Sequence, residues 1–223
     1  MSALPATLLN HPAIWRGNEC ARIADTVPSG YIELDAVLPG GGWPRGALTE
    51  LLVERPGIGE LRFLLPALSL LAREGRWLAF IAPPYLLYAP TLAASGIDSS
   101  RLVCVHTSSP QEQLWAAEQA LRSSACAAVV MWPARLDEKS ARRFQLAAEE
   151  GRCLGVLYGR AGRPRASAAP LRLQLSAARD GLAVQVLKRR GGQVAPFILQ
   201  RTAREQLPPL QKRAARSAGG FSP

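Results

Sequence analysis

The residues best placed to do chemistry are Gly57-Ile58-Gly59-Glu60-Leu61. They follow an apolar run, Leu48 to Val53, and a turn, Glu54-Arg55-Pro56, and they open a stretch that reads as a helix to about Glu74. Strand, glycine-bearing turn and helix form the layout of a phosphate-binding loop, in which backbone N–H groups and a helix N-terminus cradle an anion. A loop that handles nucleoside triphosphates continues G-K-[ST]. The lysine reaches the β- and γ-phosphates and the hydroxyl holds Mg²⁺. Here Gly59 is followed by Glu60, a carboxylate that repels phosphate, and by Leu61, which cannot ligate a metal. The layout of a nucleotide site is present and its chemistry is not.

The elements that must position this loop come from a chain of 223 residues, 48% of them hydrophobic, enough for one main core and a short appendage. No run approaches the roughly 18 apolar residues of a membrane span, and Met1 to Asn10 lacks the basic region of a signal peptide, so a cytoplasmic protein with no membrane partner is expected. Cys20, Cys104, Cys126 and Cys153 are scattered and the histidines are His11 and His106, so neither zinc spacing nor a disulfide framework is present. Buried, reduced thiols fit this pattern. The net charge of +10 is segregated: residues 1–151 hold 13 Lys/Arg against 15 Asp/Glu, whereas residues 152–223 hold 14 against Asp180 and Glu205. Clustered cations in the last third imply nucleic acid or an acidic protein surface as partner.

Along the chain, Pro5 and Pro12 break an N-terminal arm that carries Leu8, Leu9, Ile14 and Trp15. A turn at Pro28-Ser29-Gly30, a short helix from about Glu33 to Leu38 and a glycine loop, Gly40-Gly41-Gly42, lead into the strand before the phosphate loop. Strands are predicted at 77–82, 101–106, 127–132 and 153–158, and helices at 86–95, 111–122 and 138–150. Gly96 supplies the left-handed cap of the first of these helices. Leu114, Trp115, Glu118 and Leu121 fall at i, i+1, i+4 and i+7 of the second. Strands alternating with helices imply a parallel sheet covered on both faces. Alternation at Leu171–Ser176 and Leu182–Leu187 around Asp180-Gly181 predicts an antiparallel hairpin closing the sheet edge.

The run S-G-x-x-x-L-D-x-x-L-x-G-G-G-x-P-x-G-x-x-x-E, from Ser29 to Glu50, resembles the entry to the RecA recombinase core. That resemblance implies an α/β fold, a RecA-like P-loop ATPase core with a mostly parallel twisted sheet. It also locates two further catalytic positions. The strand after the loop helix should end in a carboxylate that activates water, and here it ends in Pro83-Pro84. The next buried strand should end in an aspartate that holds Mg²⁺, and here Trp132-Pro133 follows. With lysine, base and metal carboxylate all missing, nothing remains to stabilise phosphoryl transfer, so no catalytic residue, cofactor or metal is expected. Gly57, Gly59, Glu60, Leu61, Pro84 and Trp132 then mark a degenerate nucleotide site, where Pro84 and Trp132 either give an apolar contact surface or fill the vacated pocket. Lys188-Arg189-Arg190-Gly191 and Ala195-Pro196-Phe197 are similar to the K-N-K/R-x-G and A-P-F signatures near the end of that core. Arg160, Arg163 and Arg165 lie on a loop at the position of the recombinase DNA-binding loop, though a much shorter one.

A catalytically dead core of this kind, with P-G-I-G-E-L-R in place of the phosphate loop, I-A-P-P-Y-x-x-Y-A-P, the helix around Trp115 and L-K-R-R-G, resembles the ImuA family of bacterial accessory proteins for SOS-induced translesion DNA synthesis. The resemblance implies a non-enzymatic adaptor for an ImuB-type inactive polymerase homologue, an error-prone replicative-type polymerase and RecA. A SulA-type cell-division inhibitor that binds a tubulin-like GTPase is the alternative. The reading divides the chain into an N-terminal arm (1–25), a RecA-like core (26–200) and a basic, disordered tail (201–223). Arg160, Arg163, Arg165, Lys188, Arg189 and Arg190 are expected to flank one end of the sheet and to contact DNA or a partner.

Overall fold

Strand β3, Ala47–Val53, is buried at all seven positions, and the sheet is built outward from it. The computed structural model describes residues 25–162 and 167–200. The N-terminal arm up to residue 24, the basic tail, Arg163 and Arg165 lie outside the described residues. Beside β3 run β4 (Trp77–Ile81), β5 (Leu102–Val105), β6 (Cys126–Met131), β7 (Leu154–Arg160), β8 (Leu171–Ala178), β9 (Gly181–Lys188) and β10 (Phe197–Gln200). Their order is β10-β9-β8-β3-β7-β6-β4-β5. The six strands from β8 to β5 are parallel, and β9 and β10 are antiparallel. The expected mostly parallel sheet with a C-terminal hairpin is thus present. A separate two-stranded piece, β1 (Thr26–Val27) with β2 (Trp43–Pro44), was not legible in the sequence.

Alternation along β3 feeds two cores. Leu51 and Val53 join Phe63, Leu64 and Leu68 of helix α2 (Glu60–Ala72) on one face. On the other, Leu48 joins Ala117 and Leu121 of α4 (Pro110–Arg122) and Phe144 and Ala148 of α5 (Glu138–Gly151). Coverage on both faces explains why the strand, apart from Thr49 and Glu50, reads as apolar rather than alternating. Two glycines are set by close approach. A Cβ on Gly151 would stand 2.1 Å from the Leu121 carbonyl oxygen, so α4 and α5 converge only because none is there. At Gly30, where φ is +87°, a Cβ would meet Pro66 of α2 at 2.4 Å.

Local rules set the helix ends. Ser109 and Glu112 form a capping box on α4 with Pro110 in the first turn, and the Asp137 side chain accepts from Ser140 N–H on α5. Gly96, with φ +79°, and Ile97 close α3 (Ala89–Ala94), donating to the carbonyls of Ala93 and Leu92.

Several expectations need correction. The helix predicted over 86–95 is only α3, because Pro90 belongs in a first turn and leaves Leu86 to Tyr88 outside it. The helix predicted over 33–38 is α1 (Ile32–Asp35). Trp115 shares the helical spacing of Leu114 and Leu121 but is 65% exposed. Cys104 is exposed because β5 is the sheet edge; Cys126 and Cys153 are buried thiols as expected. Among the described residues no helix is long and apolar enough to cross a membrane, and no group of three or more His, Cys, Asp or Glu could hold a metal.

Candidate functional site

The loop from Glu54 to Gly59 joins the C-terminal end of β3 to α2. Gly57 and Gly59 have φ of +89° and +101°, a region that strains any residue with a Cβ. The Gly57 N–H donates to Glu60 Oε1 and Oε2 at 3.0 and 3.1 Å, and the Gly59 N–H donates to Oε2 at 3.1 Å. The same carboxylate sits in the first turn of α2, where the helix dipole favours negative charge. Glu60 is 6% exposed. The loop therefore cradles a carboxylate, and that carboxylate belongs to the chain itself. Leu61 turns into the α2-side core and packs.

Beneath the loop, Tyr158 of β7 donates its hydroxyl to the Glu60 carbonyl oxygen at 2.6 Å. Burial, and secondarily the charge of Glu60, push this phenol well above its ordinary range, which keeps it a neutral donor. The Tyr158 ring stacks on Trp132 at 4.9 Å between centroids and 12° between planes, and Trp132 stacks on Phe80 at 6.5 Å and 18°. The three rings come from β7, the end of β6 and β4, neighbours in the sheet, so they form one apolar column under the rim. Each such contact contributes about 0.5–1.5 kcal/mol beyond area burial. Trp132 is half-buried against the α2-side core, which favours pocket filling over an exposed contact surface. Pro84 is exposed on the loop after β4. Glu60, Trp132 and Tyr158 are thus brought together, and Tyr158 is a member that sequence reasoning missed. Its signal was available only as an aromatic near the end of a buried strand.

The basic residues are not at one end of the sheet. Arg160 pairs in register with Val53 at the C-terminal end of β3. Lys188 lies opposite Arg172, which pairs with Glu50 three residues earlier, a separation of about 10 Å along the strand. The correction has a topological cause: β9 runs antiparallel, so its end faces the opposite way from that of β7. Lys188 Nζ donates to the Ser167 carbonyl at 3.3 Å, where the β7–β8 connection re-enters the described residues. Arg189 donates to the Gly192 carbonyl at 2.8 Å and to the Val37 carbonyl, so it ties β9 to the segment after α1. Arg160 and Arg190 are exposed.

Sequence reasoning also missed two carboxylates inside the fold. Glu50 of β3 is fully buried and accepts from Arg172 Nε at 2.5 Å, while its other oxygen has no partner among the described residues. Glu118, 5% exposed between α4 and α5, takes Arg122 at 3.2 Å and also Arg143. Neither lies at the loop from Glu54 to Gly59.

The family model described as "Cell division inhibitor SulA" matches residues 46–155, from the start of β3 into β7. That span contains the loop, α2, the aromatic Phe80 and Trp132, and stops short of Tyr158 and the basic residues. The chain is 30% identical over 131 residues to the cell division inhibitor SulA of Serratia marcescens, covering 58% of this chain and 74% of that one. It is 31% identical over 121 residues to the cell division inhibitor SulA of Yersinia enterocolitica, covering 53% and 68%. It is 32% identical over 148 residues to protein ImuA of Caulobacter vibrioides, covering 61% of each chain.

Proposed function

This chain belongs to the SulA family, and from that premise we propose that it is a non-enzymatic accessory protein of the bacterial DNA-damage response. In this reading it is an ImuA-like adaptor in SOS-induced translesion synthesis with a RecA-like core and a degenerate ATPase site. The observation that carries the non-enzymatic part is the occupied cradle: the amides of Gly57 and Gly59 are spent on Glu60. A triphosphate would have to expel a buried carboxylate there and would find no lysine, base or metal ligand in return. Such a molecule acts through its surfaces. The partners implied are an ImuB-type polymerase homologue, an error-prone polymerase and RecA, with DNA attracted by the basic third.

Two observations favour the ImuA-like reading. The similarity to protein ImuA of Caulobacter vibrioides extends over 148 residues, more than the 131 shared with the Serratia marcescens relative. Residues 152–200 hold nine Lys/Arg against Asp180 alone, a clustering suited to phosphate backbones. The second reading, a cell-division inhibitor, is supported by the family description and by the SulA-named relatives. A pull-down with the full chain from DNA-damaged cells separates them. Recovery of polymerase subunits supports the adaptor, and recovery of the tubulin-like division GTPase in their place rejects it.

A further inference from the structure

A phosphate loop normally gains its order from the anion it binds, which makes it a switch. Here the loop is held from both sides of one residue. The Glu60 carboxylate takes three N–H contacts from Gly57 and Gly59 above, and the Glu60 carbonyl takes the Tyr158 hydroxyl below. Tyr158 is clamped by Trp132, and Trp132 leans on Phe80, so the hold runs from the loop through β7 and β6 to β4. Glu60 and Tyr158 are both buried, which keeps water from competing for these bonds. Outside this latch, Glu54, Arg55 and Pro56 stay exposed at the end of β3.

We propose that Glu60 and Tyr158 form a permanent latch that has replaced ligand-dependent ordering of this loop, so the Glu54-Arg55-Pro56 turn is presented in one conformation whether or not nucleotide is present. The inference rests on the non-enzymatic reading and deepens it: the loop has become a fixed part of the scaffold, and a partner that reads this rim meets a preorganised surface. A charge-assisted pair of N–H···carboxylate contacts holds the upper half of the latch. The phenol holds the lower half without any change of charge.

Amide hydrogen exchange on the full chain tests this, with the wild type compared with Glu60→Gln and Tyr158→Phe, each with and without Mg-ATP. The wild-type Gly57 and Gly59 amides should exchange slowly and at the same rate in both conditions. Glu60→Gln should speed their exchange roughly tenfold or more while β7 amides stay protected, as expected when a charged acceptor is withdrawn. Tyr158→Phe, which keeps the ring stack, should loosen the same two amides without unfolding the sheet. Unchanged protection of Gly57 and Gly59 in both variants would overturn the latch, as would protection lost equally throughout β7. Slowing by Mg-ATP in the wild type, with normal loosening in the variants, would instead defeat the reading that nucleotide is not used and would leave a latch that is not permanent, overturning this proposal in that form.

Discussion

Replacing Arg172 by Met should destabilise the protein more than its position near the end of the sheet suggests. The Glu50 side chain is 1% exposed and that of Arg172 is 18% exposed. Arg172 Nε is bonded to one carboxylate oxygen, and the other oxygen is already without a partner among the described residues. In Arg172→Met the carboxylate is left buried and unpaired, a loss of about 3–5 kcal/mol for a buried pair broken on one side. With a urea slope of about 2 kcal/mol per molar, the unfolding midpoint should fall by roughly 1.5–2.5 M. Replacing both partners, Glu50→Leu with Arg172→Met, removes the charge as well as its counter-ion and should recover most of this loss. Urea unfolding of the wild type, both single variants and the double variant at pH 7 completes the cycle. An Arg172→Met midpoint within about 0.5 M of wild type, or a double variant no more stable than Arg172→Met, would refute the reasoning.

Three further outcomes are expected. Isothermal titration should detect no Mg-ATP binding below millimolar and phosphate release should stay at background, and Glu60→Lys alone should not create turnover because Pro84 and Trp132 offer neither a base nor a metal ligand; micromolar binding would reject this. Single-stranded DNA binding should weaken steeply with salt, and Arg160→Ala/Arg163→Ala/Arg165→Ala should lower the slope of log K against log salt by about 2; an unchanged slope would remove this loop from the DNA-binding account. Burial pushes the Cys153 thiol up to about 12, so above pH of roughly 8.5 the unfolded chain releases a proton that the folded chain keeps. Stability should therefore decline from that pH towards 12, by about 1.4 kcal/mol per unit from this group, and Cys153→Ala should flatten the dependence of the urea midpoint between pH 8.5 and 10; equal slopes in the two proteins would show that the thiol is not the source.

Much of the fold was legible because its signals are local. β6 and most of β7 read as apolar runs since both sheet faces are covered, and β3 does so apart from Thr49 and Glu50. The hairpin of β8 and β9 was legible from alternation and Asp-Gly, although the strands run on to Ala178 and from Gly181, so that Arg179-Asp180 alone connects them where residues 177–181 were expected to. Errors arose where the deciding neighbour is distant. Trp115 fits the periodic stripe of α4, yet the gap between α4 and α5 is narrow enough that only Ala117, Glu118 and Leu121 are buried there, and the large ring is turned outward. Cys104 reads as a strand-core residue, and its exposure follows from β5 lying last in the sheet, an order that no local pattern carries.

The loop divides in the same way. That Gly59 is followed by a carboxylate and a leucine, and that β4 and β6 run into Pro83-Pro84 and Trp132, was determined by sequence alone, since these are matters of residue type beside strand ends that local patterns mark. That Glu60 folds back to take the cradle's own N–H groups, with Tyr158 beneath it, 98 residues away in the chain, was decided only by the tertiary structure. The same holds for Glu50 and Arg172, 122 residues apart and side by side on adjacent strands. Sequence spacing specifies what a segment can offer; strand order and register choose what it meets, because burial on a shared face brings together groups that the chain itself keeps far apart.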